Sequence, residues 1–201
     1  MAELVVKSRR MGLRDISIAL VTENTLSNYT TEAVKKLARS ISAKVTEKKK
    51  VEKTYSDDGT EEVIETLDSI EVEIELNDLS PEQEALLKGC KFTNGFLVDN
   101  QDDMANEIAM GWRAKRTDQK YEFVWLYCGK FNEGATENYE TQEDKLKTQT
   151  PKLKGTFYPR EKDKNWRIRV NESYLQESHT SAKAAIQNWF SKVQEPTENA
   201  A

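Results

Sequence analysis

Histidine and cysteine are nearly missing from this 201-residue chain, which has one histidine, His179, and two cysteines, Cys90 and Cys128. A structural zinc site draws its four ligands mostly from those two residue types, so no Cys/His cluster is available for one. Cys90 follows a helix-like segment and Cys128 ends an apolar strand; both read as buried, reduced thiols. His179 sits in a polar link and reads as inert. No glycine-rich loop offers a cradle for phosphate. No run approaches the ~20 apolar residues of a membrane-spanning helix, and the opening MAELVVKSRR has too short an apolar core for a signal peptide. Synthesis as a soluble cytoplasmic protein is therefore expected. The net charge of −5 argues against a global basic footprint for gripping DNA, although 30 Lys and Arg leave room for local basic patches. Hydrophobic residues make up only 37% of the chain and charged ones 32%. That ratio suits extended arms and long hairpins better than a compact enzyme. No catalytic residue, metal ligand or cofactor site stands out, and the chain is not expected to be an enzyme.

What the sequence does hold is strand periodicity. Ile108, Met110, Trp112 and Ala114 alternate with Ala109, Gly111, Arg113 and Lys115, which predicts a strand with one buried face. After a polar turn at 117–120, Tyr121, Phe123, Trp125 and Tyr127 fall on one face of a second strand. Val124, Leu126 and Cys128 fall on the other, behind Glu122. A strand apolar on both sides needs cover on both sides, from its own domain or from another chain. Upstream, Asp15 to Leu20 alternates as a first strand, residues 22–31 read as a loop, and residues 31–39 stay open between helical turns and an extended segment. A long hairpin starts at Ser40. It turns on Ser56, Asp57, Asp58 and Gly59 and returns with Ile70, Val72, Ile74 and Leu76 on one face and Glu71, Glu73 and Glu75 on the other. Its tip, residues 47–68, is too polar to fold against its own core. Ser80-Pro81-Glu82-Gln83 is a helix start with a capping box, and Gly89 ends that helix. Residues 140–149 and 152–158 read as two further strands, placed at an edge or a bulge because Pro151 lacks a ladder donor. Trp166, Ile168 and Val170 alternate in a last strand. Ala185, Ile186, Trp189, Phe190 and Val193 stand at helical spacing in a C-terminal helix. The expected units are an arm at 1–11, a β domain at 12–172 with a helix at 80–89, and a C-terminal helix and tail at 173–201.

The blocks GWRAKRTDQKYEFVWLYCGKF and YETQEDKLKTQTPKLKGTF, with GLRDISIALVTEN before them and IEVEIELNDL followed by a short helix, are similar in order and spacing to the major tail proteins of long-tailed bacteriophages. These are the tail-tube subunits common in phages of Gram-positive hosts. The resemblance covers roughly residues 12–172 and contains no catalytic fingerprint. It implies a mainly β fold, a β-sandwich or rolled barrel with a short flanking helix and a long projecting hairpin. It also implies a virion protein whose hexameric rings stack into a tube for DNA ejection. The implied partners are further copies of the chain, the tape measure protein, the tail terminator, baseplate or distal tail proteins, and double-stranded DNA in transit. No membrane is implied.

The resemblance gives the hairpin a role between rings, with Lys49, Lys50, Val51, Tyr55, Asp57, Asp58 and Gly59 expected at that contact. Glu71, Glu73 and Glu75 are candidates for an acidic lumen wall that DNA slides past, although Lys44, Lys48 and Lys50 on the opposing strand are placed to neutralise them. Trp112, Phe123, Trp125 and Tyr127 belong to the core or to a subunit interface, and the apolar faces around Trp125 and Trp189 are candidates for the latter. Two other readings stand beside the tube. One is a ring-forming tail terminator or head–tail joining protein. The other is a single-strand nucleic-acid binder of the OB type, with Tyr121 to Tyr127 as a stacking platform flanked by Arg113, Lys115 and Arg116.

Overall fold

A computed structural model describes residues 7–56, 59–133, 135–136, 141 and 150–196. In chain order the strands are β1 (Arg10–Asn24), β2 (Tyr29–Thr31), β3 (Lys35–Lys36), β4 (Ser40–Ser56), β5 (Gly59–Leu76), β6 (Lys91–Thr93), β7 (Phe96–Val98), β8 (Ile108–Arg116), β9 (Tyr121–Lys130), β10 (Ala135–Thr136), β11 (Lys152–Tyr158) and β12 (Arg167–Asn171). Helix α1 (Pro81–Lys88) lies between β5 and β6, and α2 (Thr180–Gln187) follows β12. The protein is mainly β. Ten strands form one antiparallel sheet whose path runs β2-β1-β8-β9-β11-β5-β4, with β3 on β1, β10 on β11 and β12 on β9.

The sheet divides at β9. One edge of β9 pairs with β8 along most of its length. On its other edge, Glu122 to Leu126 pair with β12 and Cys128 to Lys130 pair with β11. Between these two stretches the register with β8 slips, so that Ala109 alone stands opposite Tyr127 and Cys128. This bulge resets the side-chain alternation. Cys128 therefore joins Phe123, Trp125 and Tyr127 in one apolar cluster instead of the Val124 and Leu126 face.

Two cores result, one on each side of β8 and β9. The first holds Ile16 and Ile18 of β1, Ile70 to Leu76 of β5, Met110, Trp112, Val124, Leu126 and Leu87 of α1. Strands β1 and β5 are separated by three strands in the sheet path yet share this core, so the sheet curls over on itself. The second holds Ala19, Tyr29, Ala109, Phe123, Trp125 and Tyr127 under Trp189 and Val193. The single buried face expected for β8 is thus two buried faces, since Ala109 and Gly111 are covered as well as Ile108 and Met110. Gly111 pairs with Trp125 across the ladder, and a Cβ there would lie 2.5 Å from the indole. Only glycine leaves the ring space to lie across its neighbour.

Local chemistry sets the shorter elements. Ser80 caps α1 and Gln83 completes the reciprocal box, while Gly89 ends the helix at φ 77°. Asn94-Gly95 turns β6 into β7 with both residues at positive φ (52° and 83°), the geometry of a two-residue hairpin. Asp15 sits at φ 56° where the β1–β8 register shifts, and its carboxylate takes Lys36 and Arg113 at 2.5 and 2.6 Å.

Several expected boundaries move. The expected loop at 22–31 is strand on both sides of a turn, because β1 runs on to Asn24 and pairs with β2. Within 31–39, Lys35–Lys36 are extended and pair with β1. The expected N-terminal arm at 1–11 overlaps the sheet: the Thr117 N–H donates to the Arg9 carbonyl, the Arg9 N–H donates to the Thr117 hydroxyl, and Arg10 already belongs to β1. Strand β11 is interior, not an edge, with β5 on one side and β9 on the other. Pro151 stands one residue ahead of it, where only its carbonyl is used, by the Leu76 N–H. Apart from Thr141, the strand expected at 140–149 lies outside the described residues, as do Asp57 and Asp58. Helix α2 stops at Gln187, so Trp189, Phe190 and Val193 lie beyond it in an irregular strap.

Candidate functional site

The long hairpin is the most exposed structure in the molecule. Strands β4 and β5 pair from Ser40↔Leu76 to Ser56↔Gly59, with register shifts after Ser40, Lys48 and Thr54. Below Glu47↔Ile70 the inward residues of β5 are buried and Ala43 and Val45 of β4 are half-buried; beyond it, every described residue from 47 to 54 and from 62 to 66 is exposed. Nine further residues at ~3.3 Å each carry the tip about 30 Å from the core. Val51 (51%), Val63 (51%) and Ile64 (41%) hold apolar surface open on that extension. Lys49 pairs with Glu65 at 3.0 Å and Lys50 with Glu52 at 2.6 Å, so these two charges are used within the hairpin. The side chain of Tyr55, the exposure of Gly59, and Asp57 and Asp58 altogether lie outside what the structure describes. Among the described residues β4 pairs only with β5, which leaves its outer edge open.

Glu71, Glu73 and Glu75 share one face of β5, as the alternation predicts, but they do not form an acidic wall. Glu73 lies directly between Lys44 of β4 and Lys154 of β11. Glu71 is ion-paired with Lys48. Glu75 stands 3.9 Å from Lys152 and accepts a 2.6 Å hydrogen bond from the Thr150 hydroxyl. Three carboxylates thus face four lysines, and the surface is close to charge-balanced. The sequence showed Lys44 and Lys48; it did not show that β11 lies on the other side of β5 and adds Lys152 and Lys154. Lys50, expected to help, pairs with Glu52 instead. Opposite charges directly across a ladder contribute up to about 1 kcal/mol, and like charges cost a similar amount. Glu73→Lys is accordingly expected to lower stability by about 1 kcal/mol in denaturant titration, with Glu73→Gln in between and the gap narrowing in high salt. Equal midpoints for both variants at low salt would show that the lysines do not feel this carboxylate.

The aromatic strand is covered from within the chain. Trp125 and Tyr127 have no exposed surface, and Phe123 and Trp112 are 6% and 9% exposed. These four residues are core, and the faces around Trp125 and Trp189 are not free for a partner. Trp125 Nε1 donates to the Trp189 carbonyl at 3.1 Å, Tyr127 Oη donates to the Gln194 carbonyl at 3.0 Å, and Phe123 packs on Trp189 with centroids 5.5 Å apart. Gln194 itself is buried and its side-chain amide donates to the carbonyls of Asn188, Trp189 and Lys192 in the turns that follow α2.

A cation holds this strap, and nothing in the sequence pattern marked it. Arg160 is 1% exposed, lies over the rings of Tyr29 and Tyr127, and pairs with Asp163 at 2.5 Å and Glu195 at 3.3 Å. Hydrogen bonds from Arg160 hold the Asp163 carboxyl far below its ordinary value. Those from Arg10, at 2.6 and 2.8 Å, lower the Glu122 carboxyl from its ordinary value. Both carboxyls are lowered on folding, so their contribution is fully present above the unfolded-chain value and is lost as pH falls below it. Stability is expected to be flat in this respect above about pH 5 and to decline steadily from there downward. Asp163→Asn and Glu122→Gln should flatten that decline in denaturation midpoints taken from pH 6 to pH 3.

Cys90 and the carboxylates of Asp99 and Asp103 lie within 4.8 Å of one another, a grouping that the sequence did not suggest. Burial and the neighbouring Asp99 push the Cys90 thiol up, away from the thiolate that binds metals. Lys88 stands 4.0 Å from Asp99. His179 is exposed, precedes α2, and its Nδ1 accepts from the Gln176 N–H at 3.1 Å. Among the described residues no helix is long and apolar enough to cross a membrane. No protein-family model matches this chain, and no curated protein matches its sequence.

Proposed function

We propose that this protein is a self-assembling structural subunit of a bacteriophage tail tube, a non-enzymatic virion protein made in the host cytoplasm. The reading joins the resemblance of the strand blocks to one observation: a paired hairpin carried about 30 Å beyond its own core with Val51, Val63 and Ile64 exposed. A structure of that length with apolar surface gains stability only against another molecule. The open β4 edge is lined with charged side chains, Lys44, Lys48, Lys49, Lys50 and Lys53 with Glu47 and Glu52, which discourage strand-on-strand pairing of two such edges. A symmetric edge-to-edge dimer is disfavoured, and a head-to-tail contact between unlike surfaces, which closes into a ring, is left. In this reading the curled sheet is a rolled β-sandwich of the tail-tube type. Rings are hexameric, as the resemblance implies, and hairpins connect successive rings. Tape measure, terminator and baseplate or distal tail proteins meet the tube, and double-stranded DNA passes through it. The charge-balanced face of β5 offers passing DNA little net attraction.

Negative-stain microscopy of the purified protein at rising concentration tests this. Long hollow rods support the tube, whereas isolated rings that stop growing would favour a tail terminator or joining protein. A monomer at every concentration would remove the proposal. The OB-type reading is disfavoured because Phe123, Trp125 and Tyr127 are covered by the strap and offer no ring to a base.

A further inference from the structure

Where the curled sheet brings β1 close to β4 and β12, it encloses a cavity of about 400 Å³. Its floor is apolar, made by Leu13, Ala43, Val45, Trp112, Ala114 and Val124. Its polar wall is arginine: Arg10, Arg167 and Arg169, with Glu122 between them. A shallower opening shares Arg10, Glu122 and Arg169 and adds Arg116. Three guanidiniums, those of Arg10, Arg116 and Arg169, act on one buried carboxylate, Glu122, which is 4% exposed. Arg10 grips both of its oxygens, and Arg116 approaches to 3.6 Å while bonding the Ser8 carbonyl at 2.9 Å. Arg167 reaches Glu47 at 3.0 Å and lies over the Trp166 ring at 4.0 Å. Arg169 is exposed, and its charge acts on Glu122 with no direct hydrogen bond or close ion pair among the described residues to hold the side chain. Two acids thus answer four cations around one apolar hollow.

The part-buried guanidiniums each have an acid, Arg116 with Glu122 and Arg167 with Glu47, whereas Arg169 stands exposed at the cavity rim with its donors open to an incoming anion. Burial, and then the neighbouring Arg169, pull Arg167 below its ordinary value although Glu47 opposes them, so positive charge is crowded along this wall. Guanidiniums present planar, bidentate donors suited to carboxylate and phosphate oxygens. The floor below them suits an apolar body more than a bare inorganic ion. We propose that this cavity is a binding site for a small organic anion, one carboxylate or phosphate group carried on an apolar or aromatic body. Arg169 and Arg167 take the oxyanion, and the body lies against Leu13 and Trp112. The inference does not depend on tube assembly.

Titration of the full chain with phenyl phosphate, benzoate, inorganic phosphate and benzyl alcohol tests it, followed by calorimetry and by amide shifts around Trp112 and Val124. Phenyl phosphate or benzoate should bind, inorganic phosphate should bind about tenfold more weakly, and benzyl alcohol should not bind measurably. Arg169→Glu should weaken the aromatic anions by about a hundredfold, converting an attraction into a repulsion, and Arg169→Gln by about tenfold. Arg169 is exposed and makes no contact that folding needs, so both variants are expected to melt with the parent protein. Arg14→Gln, at an exposed arginine outside the cavity, should leave binding unchanged. Three results would overturn the site: no binding of either aromatic anion at about 10 mM, equal binding by Arg169→Glu, or inorganic phosphate binding as tightly as phenyl phosphate.

Discussion

A chain lacking residues 49–63 is expected to fold as the parent does and to form no tubes. The excised segment is exposed along its described length, and its charge pairs Lys49–Glu65 and Lys50–Glu52 are solvent-facing, each worth little to stability. Below the cut, Lys48 stays opposite Ser69, and residues 64–68 become a five-residue loop between them, a length that hairpins tolerate. Ile70, Val72, Ile74 and Leu76 keep their places in the core, and Glu47 still reaches Arg167. The denaturation midpoint should thus shift by less than about 1 kcal/mol equivalent. Polymerisation, by contrast, should disappear, since Val51, Val63 and the whole tip are gone. Circular dichroism separates an unfolded variant from a folded, non-assembling one, and sedimentation with microscopy reads the assembly. Full-length tubes from this variant would end the role given to the hairpin.

The second large effect concerns the strap. Trp189→Ala is expected to lower stability by about 3–5 kcal/mol, the cost of emptying a buried tryptophan site, and the melting temperature by roughly 10 °C. The indole is 1% exposed, packs on Phe123, and its backbone carbonyl takes the Trp125 N–H. Its removal leaves the second core open above β9, where nothing else in the described chain can close over it. Phe190→Ala, at a half-buried ring, should cost about 1–2 kcal/mol. A Trp189→Ala protein unfolding at the parent's midpoint would mean that the strap does not rest on β9.

The features legible in the amino-acid order are those decided within a few residues. Ser80, Gln83 and Gly89 place α1 because the capping hydrogen bonds close within one turn. Ile70 to Leu76 alternate because successive strand side chains point to opposite faces, and one of those faces is core. Asn94-Gly95 carries an equally local signal for the β6–β7 hairpin, which is absent from the expected elements. The bulge at Tyr127–Cys128 had no such signal. It arises where β9 must pair with β8 on one edge and with both β11 and β12 on the other. The interior position of β11 was hidden for the same reason: Pro151 is consistent with an edge until the neighbours on both sides are known. The end of α2 depended on Gln194 and the Trp125 N–H, groups that meet Asn188 and Trp189 only after the chain has turned back.

By itself the sequence determined that this chain is mainly β, where its long hairpin and first helix lie, and which strand is apolar on both faces. Steric alternation and helix capping act between residues that are already close in the chain. Only the tertiary structure decided what covers the aromatic face of β9, which lysines offset Glu71, Glu73 and Glu75, and which arginines gather around Glu122. Cover and charge compensation depend on distance in space, and the partners concerned, such as Trp125 with Trp189, Glu73 with Lys154 and Arg10 with Glu122, stand more than 60 residues apart in the chain.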